Sequence, residues 1–379
     1  MFRPSTKLFF IVSLVLCQLR PILSEAIPAD SSRGSWGTDV RTSYGYLIAH
    51  REALMPLQEQ HLYSAELSLF KTTNGRSSWE SNFLYPEQGI HLALINPGSP
   101  DKLGTAVALY PYLDFPLLHD PNSALWFRYG MGIGYIKRIF NPVENYKNAA
   151  IGSHLNGVIH FDVQYRKTFN ASTSGEIGIG LTHFSNGSMK MPNLGINLPA
   201  LNIGLRHYFG KKSTLAKDTS AVSCKQGSIT AYGAIGFKEI YPALGEKYQT
   251  GTLNGLYLFT NARKSDFGIG MDLFYDNSLA IKEGRETGDT STAANFRPGI
   301  YGAYQLRVAA IGLLFNLGFY PYTRFKGDGN FYHRIGLRYY FDRYFACVNL
   351  KTHYARADFI EWGIGLNLGK NKKSSSGNE

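Results

Sequence analysis

The sequence is short of charge, cysteine and long apolar runs, and each shortage excludes something. Only 18% of its 379 residues are Asp, Glu, Lys or Arg, against about 25% in an average soluble domain. Aromatic residues make up 14%, and a disordered chain has the opposite balance. There are three cysteines. Cys17 falls in an N-terminal leader, which leaves Cys224 in a predicted loop and Cys347 in a predicted strand. No C-x-x-C occurs, so zinc-ribbon and thioredoxin-like sites are excluded, and one disulfide or two free thiols both stay open. The ten histidines form no H-E-x-x-H and no group with metal-ligand spacing, so neither a metal nor a cofactor is expected. After residue 24 no apolar run approaches the ~20 residues of a membrane helix. The longest, Val308 to Phe315, is broken by Gly312. Gly130-x-Gly132-x-Gly134 has neither the G-x-G-x-x-G spacing nor a strand-to-helix switch, which argues against a dinucleotide site.

What the chain does have is 25 Tyr, 24 Phe and 40 Gly, a mixture that favours large antiparallel β structure over helical bundles. Arg3 and Lys7 precede the apolar run Leu8 to Cys17, and Ser24-Glu25-Ala26 offers a small-residue cleavage zone. Residues 1–24 therefore read as an export signal peptide. They contain Arg3, Lys7 and Arg20 and no acid, so the remaining chain holds 36 basic against 28 acidic residues. That excess suits loop solubility or an anionic lipid surface; in an exported chain it does not suggest nucleic acid.

Period-two alternation dominates the rest. Met131, Ile133 and Tyr135 alternate with Gly130, Gly132 and Gly134; Ile177, Ile179 and Leu181 with Gly178 and Gly180; Ile364, Leu366 and Leu368 with Gly363, Gly365 and Asn367. One face of each strand is apolar and the other is glycine or polar. Glycine there suits a crowded lumen. The aromatic clusters Tyr110-Pro-Tyr112, Tyr208-Phe209, Tyr320-Pro-Tyr322 and Tyr339-Tyr340-Phe341 read as interfacial girdles. An exported chain with apolar-out strands and no membrane helix is expected to close on itself. The expected fold is all-β: a transmembrane antiparallel β-barrel of the outer-membrane type with roughly 14 strands. It would form one domain over 25–369, followed by a disordered polar tail at 370–379. Residues 211–226 and 277–298 read as long surface loops.

One segment carries chemistry. His183 and Ser185 lie two apart on a strand, so both face one side, where a base can activate a hydroxyl. Their same-face neighbours are Ile177, Ile179 and Leu181, which would put the pair at the edge of a lipid-facing band. His183-Phe-Ser185-Asn186, followed by Pro192-Asn193-x-Gly195, resembles the signature of the PagL-type lipid A 3-O-deacylases, the acyloxyacyl hydrolase family. The likeness extends over about 60–210, with Gly130-Met-Gly132 and His154-Leu-Asn156 upstream, and not obviously over 211–379. The resemblance implies an outer-membrane barrel of a Gram-negative bacterium that removes an ester-linked acyl chain from lipid A, within lipopolysaccharide, without a cofactor. It implies Ser185 as nucleophile, His183 as general base, and Asn186 and Asn193 as site-shaping or oxyanion residues. Where the family has an orienting glutamate this chain has Asn197, which can hold an imidazole tautomer but not neutralise its cation, so weak activity is expected. The alternative is a non-catalytic barrel, a porin or binding protein with a degenerate site.

Overall fold

The computed structural model describes residues 35–120, 123–209, 227–260, 264–288, 291–354 and 356–368. The expected leader, the polar tail, Cys224 and the loop 211–226 lie outside them. Among the described residues sixteen antiparallel strands close into two eight-stranded barrels. The first consists of β1 (Trp36–Gly45), β2 (Leu62–Thr72), β3 (Glu87–Asn96), β4 (Ala106–Asp120), β5 (Ser123–Ile136), β6 (Leu155–Thr168), β7 (Thr173–Ser185) and β8 (Ile196–Phe209). It closes by pairing β1 with β8. The second consists of β9 (Ser228–Glu239), β10 (Lys247–Thr260), β11 (Ser265–Asp276), β12 (Phe296–Val308), β13 (Ile311–Phe319), β14 (Phe331–Phe341), β15 (Tyr344–His353) and β16 (Arg356–Asn367). It closes through β9 and β16.

The all-β barrel class is as expected; the count of 14 and the single closure are corrected. β1 is the first addition: Thr38 and Thr42 interrupt its outward row of Trp36, Val40 and Tyr44, so it shows little apolar alternation. The second is a turn at Ala309-Ala310 inside the longest apolar run, Val308 to Phe315. Nothing in Val308-Ala-Ala-Ile311 signals a turn, yet Ala309 takes a left-handed φ of 53° and lets β13 fold back on β12. The span 277–298, expected as a loop, contains a helix over Ser278–Thr287 and the start of β12.

Outward positions are apolar in both barrels, among them Leu67, Ile133, Ile177, Leu205, Leu253 and Ile364. Inward positions are charged and paired. Arg128 Nε sits 2.7 Å from Asp114, and Arg206 Nη2 lies 2.6 Å from Glu87. In the second lumen Arg334 lies 3.1 Å from Asp272, and Lys238 lies 2.6 Å from Asp276. An eight-stranded barrel is only wide enough for its own side chains, and these fill it. Glycine is needed where the filling is bulky: a Cβ on Gly130 would fall 2.4 Å from the Tyr110 ring. The girdle reading is corrected in part. Tyr110, Tyr112, Tyr208 and Tyr320 are buried, whereas Phe209, Tyr322, Tyr339 and Phe341 are exposed. Tyr112 shares its strand face with Asp114, and its ring lies 3.8 Å from the Arg128 guanidinium.

In the first barrel the connections 46–61, 97–105, 137–154 and 186–195 lie at one end and 73–86 and 169–172 at the other, so the first end carries most of the long loops. In outer-membrane barrels the long loops are extracellular and the short turns periplasmic. The connection 186–195 touches the end of β9, so both barrels point their long-loop ends the same way.

Candidate active site

The outward face of β7 runs Ile177, Ile179, Leu181, His183, Ser185. Ile177 and Ile179 are exposed, and the last three are half-buried. The site thus begins where the lipid-facing band ends. Register sets His183 opposite Asn197 of β8 and Ser185 opposite Gly157 of β6.

After Ser185 the chain turns sharply, with Gly187, Ser188 and Gly195 all at positive φ. The turn folds back on the serine. Asn193 Nδ2 donates to Ser185 Oγ at 2.9 Å, and the Gly187 N–H donates to the same oxygen at 3.2 Å. The Asn186 N–H donates to Asn193 Oδ1 at 3.0 Å, which fixes that amide's orientation. Asn186's own side chain is turned away: its Nδ2 donates to Ser153 Oγ at 2.8 Å and to the Lys190 carbonyl at 2.9 Å. Of the two asparagines expected to shape the site, Asn193 therefore meets the hydroxyl and Asn186 braces the turn.

His183 Nδ1 lies 2.7 Å from Asn197 Oδ1, and Asn197 Nδ2 donates to His50 Nδ1 at 3.1 Å. With Oδ1 as acceptor, His183 carries its proton on Nδ1, and Nε2 keeps a lone pair. No hydrogen bond joins His183 to Ser185; they share a face two positions apart. A Cβ on Gly195 would lie 2.8 Å from His183 Cε1, so space and φ both demand glycine beside the ring. Among the described residues no carboxylate lies within ion-pair distance of His183. Glu176 is buried in the lumen, 3.3 Å from Arg166 Nε and 3.4 Å from Arg41 Nε.

His183, Ser185, Asn193 and Asn197 thus come together as their spacing suggests. His50 was not legible, because it arrives on the β1–β2 connection, 147 positions from Asn197, with no local motif to mark it. His154 and His160, six apart, do not form a pair: His160 is in the lumen stacked on Tyr110, and His154 stacks on Tyr135.

The polar cluster thus opens on the outer wall of an outer-membrane barrel and not into its lumen. The comparisons with known proteins give the class as an ester hydrolase. Residues 63–206 match the model of the lipid A 3-O-deacylase family, PagL, and residues 227–371 match the acyloxyacyl hydrolase C-terminal domain of the same family. Together the two matches span about three quarters of the chain. The chain belongs to the PagL family of lipid A 3-O-deacylases, ester hydrolases of the outer membrane whose substrate is lipid A. The likeness therefore continues beyond residue 211, where the sequence showed no motif. No curated protein sequence matches the chain. Among solved structures, the crystal structure of the outer membrane enzyme PagL is 15% identical, covers 44% of this chain and 97% of its own, and gives a TM-score of 0.32. A mutant of the Rh. blastica porin is 8% identical over 89% of this chain and 99% of its own, with a TM-score of 0.17. CdiB from Acinetobacter baumannii is 11% identical over 89% and 60%, with a TM-score of 0.19.

Proposed function

We propose that the chain hydrolyses the ester through Ser185 and His183, with Asn197 and His50 orienting the base. Ser185 Oγ attacks the ester carbonyl carbon while its proton passes to His183 Nε2. Negative charge moves onto the carbonyl oxygen, near Asn193 Nδ2 and the Gly187 N–H, which serve as oxyanion donors. Collapse expels the lipid A oxygen, and that oxygen takes the proton from His183. Water, deprotonated by His183, then attacks the acyl-serine carbonyl carbon, and as the serine oxygen leaves it takes that proton back from His183, which frees the fatty acid and restores Ser185. The observation that carries this reading is the chain His50–Asn197–His183, which holds the ring through Nδ1 and leaves Nε2 to act as base, on the strand face that Ser185 shares. Because Asn197 is neutral, the imidazolium formed during attack gains no charge partner, and turnover is slow. A degenerate-porin reading is disfavoured, since paired side chains occupy both lumens.

The test uses purified protein and lipid A in mixed micelles, with released fatty acid read by mass spectrometry. Ser185→Ala and His183→Ala should each abolish release, and the double variant should be no worse, because nucleophile and base act as a unit. All three should keep heat-modifiable gel migration. Parental release by folded Ser185→Ala would end the serine mechanism.

A further inference from the structure

The turn that holds Ser185 does not stand free; its outer part, Gly187 to Met191, is seated on the second barrel. Ser188 Oγ donates to the Ala357 carbonyl at 2.9 Å, and the Glu239 N–H donates to the Ser188 carbonyl at 2.8 Å. Lys247 Nζ donates to the Met189 carbonyl at 2.9 Å. The Glu239 carboxylate accepts the Met191 N–H. A Cβ on Gly187 would lie 2.3 Å from Ile360 Cγ1, so the turn lies flat on the wall of β16.

Glu239 is the unusual member. It is buried, only 4% exposed, and no Lys, Arg or His comes within ion-pair distance of its carboxylate among the described residues. A buried carboxylate without a cation is costly, and here its hydrogen bond goes to the backbone of the other barrel. Met191 stands two residues before Asn193, whose amide donates to Ser185 Oγ. On the near side of the turn, the Lys190 carbonyl accepts from Asn186.

We propose that the second barrel is a positioning element of the hydrolytic site, acting through Glu239 as a positioning residue. Glu239 fixes Met191, the backbone from Met191 carries that constraint to Asn193, and Asn193 holds the Ser185 hydroxyl in line with the ester. This rests on the Ser185 reading above. It gives the second barrel a role in the reaction without placing any of its atoms against substrate.

The test measures kcat and KM of the full-length protein for lipid A in mixed micelles. It also measures the rate at which an alkyl fluorophosphonate labels Ser185. Glu239→Ala should lower kcat about ten- to a hundredfold, the scale of a roughly 1 Å misplacement, with KM within about twofold. Labelling should fall in step. Glu239→Gln keeps an acceptor oxygen and should restore kcat to within about threefold of the parent. The double variant Ser188→Ala/Lys247→Met, which loosens the same turn from its flanks, should also lower kcat and labelling, and it decides the matter if Glu239→Ala does not fold. Parental kcat and labelling in folded Glu239→Ala, or in the double variant, would overturn the proposal, as would an equal loss in Glu239→Gln. Ser185→Ala, run alongside, separates the two ideas: if it is inactive while Glu239→Ala is parental, only the positioning role fails.

Discussion

Replacing Asn197 by aspartate exchanges one NH2 for an oxygen and adds a charge without changing side-chain length. The acceptor 2.7 Å from His183 Nδ1 is kept, so the ring stays oriented and only the electrostatics change. The new charge would lie about 4 Å from the centre of an imidazolium, worth ~4 kcal/mol at an effective dielectric near 20. At ~1.4 kcal/mol per decade that sets a ceiling of roughly a thousandfold in rate. Two costs reduce it. A half-buried carboxylate loses hydration, and His50 must present an N–H where it now accepts one from Asn197. The expected gain in kcat is therefore about ten- to a hundredfold, below the ~10⁴ that separates Asp from Asn in the chymotrypsin-type triad. Initial rates of fatty-acid release from mixed micelles measure it directly. A pH series adds a second readout: the carboxylate favours protonated His183, so the onset of activity should move to higher pH. An unchanged or lower rate in a folded variant would refute the reasoning, since His183 would then not gain charge in the limiting step beside residue 197.

Other perturbations follow from the same contacts. Asn193→Leu removes the side-chain donor to Ser185 and should cost about 10²–10³ in kcat, the range for an oxyanion donor, with KM little changed. Arg128→Leu removes one of the two guanidiniums that Asp114 and Asp39 share inside the first lumen, Arg206 being the other; a loss of about 1.5–3 kcal/mol is expected for the charged hydrogen bonds removed, visible as unfolding of the heat-modifiable form at lower temperature. Asp328, in the β13–β14 connection, is pushed up by burial and by Asp358, but Lys282, Arg297 and His353 outweigh both and hold it at about 2. Its contribution is complete above the ordinary aspartate value and is lost as pH falls towards the folded one. Protection against amide exchange in 320–330, relative to the intrinsic rate at each pH, should therefore fall over that acid window, and Asp328→Asn should flatten the change.

Much of this fold could be read from period-two patterning, because an outward Ile or Leu beside an inward Gly repeats along strands such as β5 and β7. β1 escaped because Thr38 and Thr42 stand in its outward row between Trp36, Val40 and Tyr44, so an apolar residue recurs only every fourth position. The Ala309-Ala310 turn escaped because alanine carries no turn preference. Two closures rather than one could not be read at all: pairing of β1 with β8 is a contact between distant residues that leaves no local trace. The same holds for the site. His183, Ser185, Asn193 and Asn197 share one hairpin and were legible together, whereas His50 and Glu239 reach it from elsewhere in the chain. Tyr110 and Tyr112 were misplaced because an aromatic serves equally well at a membrane interface and against a buried arginine, and only parity along β4 decides.

The proposed site opens at the end of a wall whose outward row runs on through Leu181 to the exposed Ile179 and Ile177, so on the proposed mechanism substrate reaches it by diffusing sideways within the membrane. The reaction is therefore two-dimensional, and the governing concentration is the mole fraction of lipid A in the leaflet rather than moles per litre of suspension. Diluting lipid A with inert lipid at fixed bulk amounts should slow the enzyme, while adding more vesicles of the same composition should not speed a protein already embedded in one of them.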